Sequence, residues 1–150
     1  MVRWSTRLLS IDNRYQFIHS IKPGQFISPV TNGQKIFLDN KNFITNIEVS
    51  KKIRRYMFYR LKTKTSHIDA HISTIFMIRK DDGKICFRRL AEIRDNFELV
   101  LYDKDNNYLL FEKPLSLIRD TSRTRFFGIS KYTSNLIKPS VITNGFVILL

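Results

Sequence analysis

The sequence predicts an all-β or β-rich α+β fold, an antiparallel sandwich or jelly-roll-like barrel with one short basic helix. Three observations carry this. Short runs rich in Ile, Val, Phe, Tyr and Thr recur along the chain, and such side chains suit a pleated, half-buried surface. Turn-forming residues punctuate them at Pro23-Gly24, Asn32-Gly33, Asp82-Gly83, Asp105-Asn106-Asn107 and Asn144-Gly145, where the backbone can reverse at little cost. Hydrophobic residues make up 43% of the chain and twelve are Phe, enough apolar mass for a packed core despite the charge.

Taken in order, the candidate strands are residues 15–19, 25–30, 35–38, 43–49, 71–79, 84–93, 97–102, 108–112, 125–130 and 140–150. Asp82-Gly83 predicts a two-residue hairpin turn that sets Ile78 opposite Phe87 and Phe76 opposite Arg89, with Met77 and Arg88 on the other face. Both faces then carry apolar residues, which places this hairpin centrally. A second hairpin joins 97–102 to 108–112. No repeat, low-complexity tract or Pro/Gly/Ser-rich linker divides residues 1–150, which read as a single domain. Residues 1–13, with Arg3, Arg7 and Trp4, read as a basic N-terminal arm.

Charge is the strongest functional signal. The chain holds 26 Lys and Arg against 13 Asp and Glu, a formal net charge of +13. Residues 49–68 contain no acid and hold Lys51, Lys52, Arg54, Arg55, Arg60, Lys62 and Lys64 around Tyr56, Phe58 and Tyr59. Cations that grip phosphate then lie beside rings that can stack on bases. Ser50 as N-cap, with Ile53, Tyr56, Met57 and Leu61 at helical spacing, predicts a helix here. A strand is the alternative, and Lys51 and Lys52 at the positive end of a helix dipole favour that alternative slightly. A smaller cluster, Arg119, Arg123 and Arg125, reads as a loop suited to phosphate oxygens.

Other chemistry is sparse. His67, Asp69 and His71 have metal-ligand composition but no fourth partner nearby, and on a strand they would share one face. Cys86, the single cysteine, lies in an apolar run that suits an inert thiol, and it permits no intrachain disulfide. No Gly-rich phosphate loop, serine elbow or spaced carboxylate pair is present. No apolar run reaches the ~18–20 residues of a membrane-spanning helix.

These features predict a non-enzymatic, nucleic-acid-binding structural protein that needs no cofactor and contacts the phosphate backbone with little sequence specificity. RNA or single-stranded DNA is the favoured partner. A small viral coat or movement-type protein, or an organellar ribosome-associated one, fits that description. The alternative is a protein–protein assembly or scaffold subunit whose basic face meets an acidic partner or an anionic membrane surface, with the apolar terminal strand 146–150 pairing between chains as a homo-oligomer. A reducing, intracellular compartment (cytoplasm, virion or organelle matrix) is expected from the lone thiol.

Overall fold

Short antiparallel strands make up most of the described residues. The computed structural model describes residues 1–10, 12–20, 29–31, 35–36, 48–54, 58–119, 124–131 and 140–149. Its strands are β1 (Val2–Arg3), β2 (Arg7–Leu9), β3 (Tyr15–Phe17), β4 (Pro29–Thr31), β5 (Lys35–Ile36), β6 (Glu48–Arg54), β7 (Phe58–Lys62) and β8 (His67–His71). They continue with β9 (Ile75–Arg79), β10 (Ile85–Arg89), β11 (Glu98–Asp103), β12 (Tyr108–Glu112), β13 (Ser116–Arg119), β14 (Thr124–Lys131), β15 (Ser140–Thr143) and β16 (Phe146–Leu149). Short 3-10 turns cover Ile18–Ser20 and Leu90–Glu92.

Among the described residues the strands form two antiparallel sheets. The first has the order β13-β7-β8-β1-β14-β6. The second follows β10-β9-β11-β16-β15-β2-β3, with β12 on β11 and the β4–β5 pair on β15. One apolar cluster draws on both sheets: Val2, Leu61, Ile68 and Ala70 from the first meet Leu8, Phe76, Ile78, Leu99, Leu101, Val141, Phe146 and Ile148 from the second. The intervening residues Leu9, Met77, Val100, Tyr102, Ile142 and Val147 form a second cluster. Successive strand side chains point to opposite faces, so the central strands of the second sheet are buried on both.

The β-rich expectation holds, and the basic helix does not. Residues 48–54 and 58–62 are strands, and their backbone groups are met across strands, by β14 for β6 and by β8 for β7. Helical spacing of Ile53 and Leu61 was outweighed by these partners distant in sequence, which no local propensity registers. Arg55, Tyr56 and Met57 lie outside the described residues. So do most of 25–30 and 43–49, of which only the stretches in β4 and β6 are described.

Three further expectations change in detail. The 71–79 run breaks at residues 72–74 into β8 and β9, and 140–150 folds back at Asn144 and Gly145 into β15 and β16. The hairpin around Gly83 is out by one residue: Cys86 pairs with Ile78 and Phe87 with Met77. Its loop has three residues and not two, because Lys80 N–H donates to the Lys84 carbonyl at 2.9 Å and Gly83 adopts φ +81°. A left-handed residue after a tight turn inserts the extra position, and a one-residue slip exchanges the two faces. Residues 1–13, expected as an arm, instead supply β1 and β2, with Val2, Leu8 and Leu9 fully buried.

Gly83 has open space where a Cβ would project, so Gly83→Ala isolates the backbone cost of positive φ. Urea unfolding should show a loss of about 1 kcal/mol with an unchanged slope.

Candidate functional site

Antiparallel register places one acid between two bases. Val2 pairs with Ala70 across β1 and β8, and Arg60 pairs with Asp69 across β7 and β8. Directly opposed residues share a face, so Asp69 faces Arg60 on one side and Arg3 on the other. Arg60 Nε donates to Asp69 Oδ1 at 2.8 Å, Arg60 Nη2 to Oδ2 at 3.0 Å, and Arg3 Nη1 to Oδ2 at 3.1 Å. The Asp69 side chain is 4% exposed. Burial alone would raise its carboxyl, but the hydrogen bonds and charges of Arg60 and Arg3 outweigh it and hold the group below the usual carboxylate range.

That clamp fixes β1, and β1 holds residue 1 half-buried against the turn at residues 72–74. The Met1 carbonyl accepts from His71 N–H at 2.9 Å and from Thr74 Oγ1 at 3.0 Å. The Met1 nitrogen donates to the same Thr74 oxygen at 3.1 Å. Thr74 is buried, and the turn carrying it is tied down by Thr74 N–H to the His71 carbonyl at 2.9 Å and Leu90 N–H to the Thr74 carbonyl at 2.8 Å. Beside it, Ser73 N–H donates to His71 Nδ1 at 3.1 Å and Ser73 Oγ lies 2.6 Å from the same nitrogen. An Nδ1 that accepts places the proton of the neutral ring on Nε2.

The other end of the chain arrives at the same place. Leu149 of β16 pairs with Ile75, the residue after Thr74. Residues 1 and 149 therefore both lie against residues 74–75. Two donors there hold the Met1 carbonyl, and Ser73 with His71 makes a hydroxyl–base pair of the kind that activates a nucleophile.

The geometry invites comparison with known proteins. No protein-family model matches the sequence, and no curated protein is significantly similar to it. Solved structures are similar over the whole chain. A TvoVMA intein superposes with a TM-score of 0.76 at 10% identity, covering 99% of this chain and 95% of that one. A DnaB intein from Synechocystis gives 0.69 at 14%, covering 99% and 96%. The transcription factor IIB Mvu mini-intein gives 0.68 at 13%, covering 100% of each. The chain has the intein fold. The expected non-enzymatic nucleic-acid-binding protein, viral or ribosomal, is overturned by this likeness, because inteins are protein-splicing domains. The scaffold alternative falls with it, and the terminal strand 146–149 is spent within the chain, on β9, β11 and β15.

In the intein fold the residues singled out from sequence are dispersed. Lys51, Lys52 and Arg54 lie on β6, at one edge of the first sheet, while Phe58, Tyr59, Arg60 and Lys62 lie on β7, near the other. Four strand spacings, about 19 Å along the sheet, separate them. Phe58 is buried and meets the His71 ring edge-on at 5.1 Å, and Tyr59 packs against the core. Lys62, Lys64 and Arg119 are exposed, and Arg125 pairs with Ile53 across β14 and β6. Arg55, Tyr56 and Arg123 lie outside the described residues. His67, Asp69 and His71 do share a face, but the two arginines occupy Asp69, and no cluster of three or more His, Cys, Asp and Glu able to hold a metal occurs among the described residues. Cys86 is half-buried against the core. Met1 and Thr74 were not singled out, since only contacts across 73 residues give them a role; Ser73 was not singled out either, although its contact with His71 is local.

Because the Asp69 carboxyl is depressed on folding, its contribution is complete above the unfolded value of about 3.9 and is lost as pH falls through the lower folded value. Urea titrations should find Asp69→Asn less stable than the native protein by about 2 kcal/mol at neutral pH. The difference should close in strong acid.

Proposed function

We propose that this chain is an autoprocessing domain of the protein-splicing class, acting on peptide bonds at its own edges. The observation that carries the reading is the meeting of residues 1 and 149 on residues 74–75, within a fold similar to that of inteins. A domain that cuts or joins its own flanks has to hold both in one place before any chemistry begins.

The side chains narrow the reaction. For a bond on the amino side of residue 1, the leaving group is the Met1 nitrogen, which lies against Thr74 Oγ1. A hydroxyl there can orient that nitrogen but exchanges protons poorly at neutral pH, unlike an imidazole. The Met1 thioether bears no proton and forms no acyl intermediate. At residue 1 the step these side chains support is cleavage of that bond. Water or an external nucleophile attacks, with His71 and Ser73 as the adjoining base and hydroxyl.

A folded reporter joined upstream of Met1, with a second downstream of Leu150, tests this by electrophoresis and intact mass. The native chain should release the upstream reporter slowly. Met1→Cys should raise the rate at least about tenfold and make it responsive to added thiol, and Thr74→Val should lower it. Absence of cleavage in both native and Met1→Cys proteins, with circular dichroism unchanged, would sink the proposal.

A further inference from the structure

At the far ends of β8 and β16 from the candidate site lies an open cleft of about 730 Å³, a volume within the range of small-molecule sites. It is bounded by β2, β3, the β7–β8 and β15–β16 turns, and the β11–β12 hairpin. Its apolar wall includes Phe17, Leu101 and Leu110.

The rim is built and not merely exposed. Asn144, at φ +48°, donates its N–H to the Arg7 carbonyl at 2.9 Å and accepts Arg7 N–H on Oδ1 at 2.8 Å. Its Nδ2 donates to the His67 carbonyl at 3.0 Å, and its own carbonyl accepts from Ser66 Oγ at 2.6 Å. Tyr102 N–H closes the next position on the Gly145 carbonyl at 2.7 Å. A rim held this way loses little freedom when a ligand enters. Tyr15, pushed up to about 12 chiefly by burial, stays protonated at neutral pH.

Charge selects the ligand. Both Asp103 oxygens are taken by its own turn, through Asp105 N–H at 3.0 Å, Asn106 N–H at 3.2 Å and Asn106 Nδ2 at 2.9 Å. Asp105 lies 3.4 Å from Lys104 Nζ. Arg7 has no ion pair among the described residues, and its guanidinium lies 5.1 Å over the Phe17 ring. It is the one Lys or Arg without an ion pair among the described residues lining the cleft, and such a cation beside an aromatic wall suits a monoanion with a flat apolar body. A dianion such as phosphate would meet Asp103 and Asp105 with no second unpaired Lys or Arg among the described lining residues to offset them.

We propose that this cleft binds a small aryl carboxylate, its carboxylate on Arg7 and its ring against Phe17, Leu101 and Leu110. The test is isothermal titration of the whole chain with 2-naphthoate, with 2-naphthylmethanol and acetate as probes lacking the charge or the ring. One saturable site with sub-millimolar affinity is expected, weaker for naphthylmethanol and undetectable for acetate. Arg7→Gln should weaken 2-naphthoate by at least about tenfold, and Phe17→Ala should weaken it while keeping the fold, since Phe17 is 40% exposed. Arg94→Gln, which removes an exposed charge elsewhere, should change nothing. Absence of a 1:1 isotherm, a smaller loss in Arg7→Gln, or an equal loss in Arg94→Gln overturns the proposal.

Discussion

Two residues hold one of the sheets together. Among the described strands, β8 and β14 do not pair with each other; β1, with Val2 and Arg3 alone, lies between them and bonds to both. So short a strand makes too few ladder hydrogen bonds to hold its own register. Asp69 supplies the remainder by engaging Arg3, and His71 and Thr74 do so by engaging the Met1 carbonyl. Asp69 is buried while the arginines stay partly exposed, so the pair contributes mainly by specifying geometry, since desolvation of the carboxylate offsets much of its attraction. Here the specified quantity is where residue 1 stops.

The same constraint orders the chemistry around it. The turn that presents Thr74 is held from behind by the 3-10 turn at Leu90–Glu92, through Leu90 and Ala91 N–H groups donating to the Thr74 and Ile72 carbonyls. Below it, Phe76 and Ile148 pair across β9 and β16 in the shared core. The hydroxyl and the carbonyl it touches therefore rest on close-packed strands, the kind of support that keeps reacting groups in place. Fine positioning is present at this site while proton-transfer capacity is small, because a threonine occupies the position nearest the residue 1 nitrogen.

Much of the architecture was legible locally. Strand 108–112 has the expected bounds, and each described turn pair falls at a chain reversal, because Asn and Gly relieve strain that other residues pay in full. The basic run was misread since its apolar spacing satisfies a helix and a strand alike, and only the identity of distant partners decides. Gly83 shifted a register because the lengths of two- and three-residue loops are not distinguished by Asp-Gly alone. Most of the site was illegible for a deeper reason. Thr74 and Met1 are unremarkable residue types, and their meeting exists only in the closed topology. His71 and Asp69 drew attention by composition as metal ligands, yet in the structure they engage a serine and two arginines.

The placement of β1 also sets an order of events during synthesis. Val2 pairs with Phe127, so β1 cannot complete its sheet until a residue 125 positions later has followed it. At cellular elongation rates that is a wait of about 6 to 25 s. Hairpins such as β9–β10 and β11–β12 close long before then. The arrangement at residue 1 therefore comes into being only after most of residues 1–127 have been made.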